Sequence, residues 1–139
     1  MILLDTSGVL AVLDATESRH SRAIAVLHED PGPFPLSPIV LAELDYMVTQ
    51  RLGTLERSAL LTDIELGVYK LAPFDTEDVR RAREVIDRYA DLRLSLADAS
   101  IAVLAERHDC HDVLTLDERD FRAMRGPGGR PFRILPADA

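Results

Sequence analysis

The chain has 139 residues, 47% of them hydrophobic, which suits one compact domain (1–139) with a single core and leaves no room for a second. A formal net charge of −8 argues against a protein that holds nucleic acid by bulk electrostatics, so any contact with RNA has to be local. Cys110 is the only cysteine, which rules out an intramolecular disulfide and suits a reducing cytoplasm.

Met1 to Leu4 is apolar, but it carries no positive leader and is interrupted by Asp5, so it reads as a buried strand over Ile2–Leu4 and not as a signal peptide. No apolar run is long enough to cross a bilayer. Asp5, Thr6 and Ser7 have short oxygen side chains that suit the start of a helix through Val9, Leu10, Val12 and Leu13. A second helix is expected from about Ser18 to Glu29, then a break at Pro31-Gly32-Pro33 and an extended piece over Phe34–Leu36. Ser37-Pro38 opens the next helix in cap-then-proline order, and Gly53 ends it.

Thr54 is expected to cap a helix running to about Leu66, followed by a third strand, Val68–Leu71, closed by Pro73. The run Asp75-Thr76-Glu77-Asp78 starts a helix whose apolar face is Val79, Ala82, Val85, Ile86 and Tyr89. Ser95 begins a helix over Leu96–Arg107, Val113–Leu116 is the fourth strand, a short helix passes through Phe121 and Met124, and Pro131–Leu135 is the fifth strand. Strands alternating with helices predict an α/β sandwich around a mainly parallel five-stranded sheet. Gly126 to Gly129 is the only flexible-looking loop.

Against this pattern four carboxylates stand out: Asp5, Glu43, Asp98 and Asp117. Asp5 and Asp117 follow strands and would stand at the carboxyl edge of the sheet, where open parallel sheets form their crevice. Glu43 has Ile39, Val40 and Met47 as helix neighbours, a surface on which an unpaired carboxylate is expensive to bury. Asp98 lies at the dipole-favoured start of its helix. Acids gathered from several elements without matching His or Cys make a hard-cation site, suited to Mg²⁺ or Mn²⁺.

Each acid also has a purely structural reading. Asp5 and Asp117 could be helix caps, Asp98 sits at capping-box spacing from Ser95, and Glu43 could pair with an arginine on another helix. Arg119, Arg122, Arg125, Arg130 and Arg133 crowd the region after Asp117 and are weak grounds for a phosphate-facing rim, since arginine on a solvated surface is common. His108, Cys110 and His111 match no common zinc spacing, and His20 and His28 read as surface residues. A phospho-acceptor receiver module would need a lysine near its last strand, whereas Lys70 falls in the third; a haloacid-type phosphatase would need a second Asp two residues after Asp5.

The ordered set Leu3-Leu4-Asp5-Thr6-Ser7, Ala42-Glu43-Leu44-Asp45-Tyr46, Leu94-Ser95-Leu96-Ala97-Asp98-Ala99 and Leu114-Thr115-Leu116-Asp117, with Asp120-Phe121 behind it, resembles PIN-domain proteins of the VapC type, the toxin half of a toxin-antitoxin pair. The matching stretches span the whole chain. The resemblance implies a PIN-like three-layer sandwich and a Mg²⁺- or Mn²⁺-dependent endoribonuclease of RNA, homodimeric and silenced by a cognate antitoxin protein in a hydrophobic groove. By the same resemblance Asp5 and Asp98 would be the principal metal ligands, Glu43 and Asp117 would complete the quartet, and Ser7 and Thr115 would hold the carboxylates in place. Asp120 competes with Asp117 for the fourth position, while Asp45, close to Glu43 on the chain, should point elsewhere. A catalytically silent PIN scaffold is the alternative, and the intact quartet speaks against it. The apolar residues of the helices between Ser18 and Leu66 exceed what one small core needs and are expected to meet the antitoxin.

Overall fold

Short apolar runs bounded by acids and prolines give strands of only two or three residues, and longer amphipathic stretches give the helices. The computed structural model describes residues 1–139. In chain order it contains β1 (Leu3–Leu4), α1 (Thr6–Leu13), α2 (His20–Glu29), β2 (Pro35–Leu36), α3 (Pro38–Arg51), α4 (Thr54–Glu65), β3 (Lys70–Leu71), α5 (Thr76–Arg88), α6 (Leu96–His108), β4 (Asp112–Leu114), α7 (Glu118–Ala123) and β5 (Arg133–Leu135). The element order matches expectation, with every strand shorter than its apolar run. No helix is long and apolar enough to cross a membrane.

The five strands pair only in parallel, but they do not form one five-stranded ladder. The central sheet has the order β1-β4-β5, with Leu3 opposite Val113, Leu4 opposite Leu114 and Val113 opposite Ile134, and β2 pairs separately with β3. β2 lies beside β1 without ladder bonds between them. Proline explains the gap. The carbonyls of Phe34 and Leu36 accept from Lys70 and Ala72, so residue 35 faces the other way, toward β1, and Pro35 has no N–H to donate there.

The helices cover this framework and bring chain ends of the strands together. α6 lies on β1 and between α3 and α5, and its alanines and serine, buried from Ala99 through Ala105, let those neighbours approach closely. Ser37 caps α3 by accepting from the Ile39 amide, and its hydroxyl lies 2.7 Å from Ser100 Oγ, so the starts of α3 and α6 are fastened to each other. α1 is held still closer to the sheet: a Cβ on Gly8 would stand 2.2 Å from the Leu114 carbonyl oxygen. Only glycine allows the first turn of α1 to rest on the end of β4. Phe121 and Phe132 meet edge to face at 5.7 Å and join α7 to the segment leading into β5.

Three local expectations are corrected. Thr54 does not cap α4; Gly53 occupies the cap position with φ 103°, a left-handed conformation that suits glycine, and serves as both the end of α3 and the start of α4. The Gly126–Gly129 segment is not a free loop, because Pro127–Gly129 forms a 3₁₀ turn whose Pro127 carbonyl lies 2.9 Å from His111 Nε2. His20 is half-buried, its Nδ1 2.8 Å from the Ala11 carbonyl.

Candidate active site

Asp5 stands where β1 gives way to α1, and although it occupies the cap position its side chain makes no capping bond. Its Oδ2 instead accepts from Ser7 Oγ at 2.9 Å and Thr115 Oγ1 at 2.6 Å. Each hydroxyl in turn accepts a backbone amide, Ser7 from Leu116 and Thr115 from Asp117, so both have their protons free for the carboxylate. The expectation that Ser7 and Thr115 position a carboxylate is met at Asp5. Burial to 5% exposure pushes the Asp5 carboxyl above its usual range, and the two hydroxyl donors oppose that rise.

Asp98 arrives on the first turn of α6. Ser95 caps that helix by accepting from the Asp98 amide at 3.1 Å, but the return bond from the Asp98 side chain to the Ser95 backbone that would complete a capping box is not made. Burial, and after it the Asp5 charge, pushes Asp98 up to about 6, against the pull of the Ser95 hydroxyl. Asp117 keeps part of its structural role: its Oδ1 accepts from the Asp120 amide at 3.5 Å, a long cap for α7.

One carboxylate oxygen from each of Asp98, Asp117 and Asp120 falls within 4.8 Å of the others. Asp120 Oδ1 is buried and has no hydrogen-bond partner, since Arg119 Nε is 3.8 Å away. Burial and the Asp117 charge raise the Asp120 carboxyl as well. At such spacing each ionised pair repels by roughly 3 kcal/mol for an effective dielectric near 20. An all-oxygen donor set, mutual repulsion and an orphaned buried oxygen together fit a hard divalent cation.

Asp5, Glu43, Asp98 and Asp117 all line one cleft of about 320 Å³. Asp5 and Glu43 lie outside the tight trio, and Glu43 is exposed on α3, so the cost of burial expected for it does not arise. Asp45 points away from the cleft and takes a two-pronged bond from Arg57 of α4. Asp120, held only as an alternative to Asp117, joins it in the trio, because the short turn of α7 brings both acids to one side.

Of the arginines expected to form a rim after Asp117, Arg119 alone stands at the acids, 3.8 Å from Asp120. Arg122 binds Asp138 and Glu118, Arg130 lies against Asp109, and Arg133 binds Asp112. None of the five lines the cleft. Its one basic lining residue is Arg51, which follows Glu43 and Met47 at four-residue steps along α3. That spacing was the available signal for it. Cys110 and His111 are committed elsewhere, the thiol toward the Met1 and Asp112 carbonyls and the ring toward Pro127.

A strand-edge cleft with acids from β1, α3, α6 and the β4–α7 turn defines a class as well as a site. The family model described as PIN domain matches residues 2–127, and the chain belongs to that family. Ribonuclease VapC26 of Mycobacterium tuberculosis is 36% identical over 135 residues, covering 97% of this chain and all of the relative, which places the chain among the VapC-type members. The crystal structure of VapC20 from Mycobacterium tuberculosis, a sarcin-ricin loop cleaving toxin, is similar with a TM-score of 0.77 at 22% identity, covering 86% of this chain and 92% of that one. VapBC2 from Rickettsia felis, bound to a promoter DNA fragment, is similar with a TM-score of 0.67 at 19% identity, covering 96% and 98%. At those identities the likeness to solved structures speaks for the fold alone.

Proposed function

We propose that this chain hydrolyses RNA phosphodiester bonds as the toxin of a toxin-antitoxin pair, using Mg²⁺ or Mn²⁺. Asp98 and Asp117 in the cleft, with Asp120 behind them, would hold the cation, and Asp5 and Glu43 add to the acidic lining. The observation that carries this reading is the buried Oδ1 of Asp120, which accepts no hydrogen bond, beside two further carboxylates in a chain of the PIN family. When bound, the divalent ion supplies a water of lowered pKa and neutralises charge on the attacked phosphate. Thr115 and Ser7 keep Asp5 oriented and favour its ionised form, while the Ser95 cap fixes the turn that presents Asp98. No side-chain nucleophile is required of this chain.

The partners proposed with this activity are a cognate antitoxin protein and a second copy of the chain, in the cytoplasm. Tyr46 on α3 and Leu55, Leu61 and Leu66 at α4 remain exposed, Leu55 at 82%, which supports an apolar contact for the antitoxin on these helices. The test is cleavage of a total RNA pool by the purified protein with Mg²⁺, Mn²⁺ or a chelator, paired with growth of cells expressing the chain alone or with the small protein encoded next to it. Metal-dependent cleavage and growth arrest relieved by the neighbour are expected; metal-independent cleavage, or none, would remove the reading.

A further inference from the structure

The cleft poses an electrostatic problem that its acids do not solve. Its lining includes six carboxylates, Asp5, Asp14, Glu17, Glu43, Asp98 and Asp117, and one cation, Arg51. A polyanion entering such a wall is repelled except where the metal sits, so a second positive point is needed to hold the strand in register.

Arg51 is placed and left free to be that point. It is exposed, is the last residue of α3, and makes no direct ion pair, although Asp14, whose carboxyl is lowered chiefly by its Thr16 hydrogen bonds, is near enough for the Arg51 charge to help. It lies about 12 Å along the helix axis from Glu43, eight residues at roughly 1.5 Å each, on the same face as Glu43 and Met47. The two carboxylates at that end are already engaged: Asp14 accepts from the Thr16 amide and hydroxyl, and Glu17 accepts from Arg19 and Ser18. The cleft is also lined by Leu10, Ala11, Met47 and Leu52, which accept the apolar faces of a sugar or base but offer no charge.

We infer that Arg51 binds a phosphate of the RNA strand away from the scissile one, and so tethers the strand that reaches the acidic trio. The inference rests on the ribonuclease reading above. A guanidinium suits it because it takes two phosphate oxygens at once, a geometry lysine cannot reproduce. Arg51 is thus a substrate-binding residue and takes no part in activating water.

The experiment is single-turnover cleavage of a short single-stranded RNA by the wild type, Arg51→Ala and Arg51→Lys at saturating Mn²⁺, over a range of protein and salt concentrations. The half-saturating concentration should rise about tenfold in Arg51→Ala and less in Arg51→Lys, with the maximal rate falling no more than about twofold. The log–log dependence of half-saturation on salt should become shallower by about 0.7 in Arg51→Ala, the loss of one phosphate contact to a single strand, which a merely structural role would not produce. Unchanged half-saturation and salt slope beside an active wild type would overturn the inference while sparing the ribonuclease reading. So would weakened binding of the antitoxin alone, with RNA kinetics unaltered. An inactive wild type would fail the reading itself and the inference with it.

Discussion

Thr115 Oγ1 stands 2.6 Å from Asp5 Oδ2, so the residue just past β4 holds the carboxylate just past β1. The pair converts a strand pairing, Leu4 beside Leu114, into the aim of a functional group. The same hydroxyl accepts from the Asp117 amide, which links the first and last acids of the cleft through one oxygen.

Thr115→Val keeps the shape of this buried residue and removes both bonds. It should cost about 1–3 kcal/mol of stability, because the Asp117 amide and Asp5 lose partners out of water. The donors from Thr115 and Ser7 hold the Asp5 pKa down against burial, so their partial loss raises it further. The acidic limb of the pH–rate profile should therefore move to higher pH. Thr115→Ser should restore both, and chemical denaturation with a pH–rate series checks the pair of expectations.

Asp98 predicts how metal-free stability responds to pH. Its folded pKa lies above the unfolded value, rising from 3.8 to about 6, so between those limits the folded state binds more protons than the unfolded one. That contribution is present below pH 3.8 and is lost as pH rises toward about 6. The melting temperature of chelator-treated wild type should carry this downward component across the window, and Asp98→Asn should lack it while melting no lower than wild type at neutral pH. A marked neutral-pH loss in Asp98→Asn would mean that its carboxylate serves the helix start more than the site.

Gly8→Ala should be among the most damaging single-methyl changes in the chain. The added Cβ meets backbone, the Leu114 oxygen at 2.2 Å and its carbon at 2.5 Å, and neither can turn aside as a side chain would. Overpacking of this kind costs about 1–3 kcal/mol or more. Displacing α1 also pulls Ser7 from Asp5, so cleavage per folded molecule should fall with stability, as read by activity corrected for the folded fraction.

The acids should not be equal. Asp120→Asn removes a member of the close trio, whereas Glu43→Gln changes an exposed residue outside it. Cleavage should therefore fall more than about tenfold further in Asp120→Asn than in Glu43→Gln, and Mn²⁺ affinity should separate the two in the same order. Equal losses would enlist Glu43 in holding the ion.

The acids and the elements that carry them were legible in the sequence because each breaks a local pattern: a carboxylate after an apolar strand, another on an apolar helix face. Spacing alone does not tell that the Asp5 side chain turns away from the helix start, since that depends on Thr115 arriving from 110 residues away. A single five-stranded sheet is what the apolar runs suggest, because the run containing Pro35 looks like any strand until the direction of its missing N–H is known. The C-terminal arginines misled for a related reason: proximity in sequence to Asp117 says nothing about Asp138, Asp112 and Asp109, which claim them in the fold. Gly8 and Arg51 carry no such signal, the first because a glycine at a helix start has many explanations, the second because only the folded cleft shows which arginine faces it.

The central claim is that the acidic trio holds a divalent ion on which RNA cleavage depends. Its most direct test is a titration of chelator-treated protein with Mn²⁺, following bound Mn²⁺ by electron paramagnetic resonance and cleavage of the same samples, for wild type and Asp98→Asn. The account predicts that binding and cleavage rise together in the wild type and that both are lost in an Asp98→Asn protein whose circular dichroism is unchanged. Full cleavage by folded Asp98→Asn, or cleavage that persists without bound metal, would contradict it.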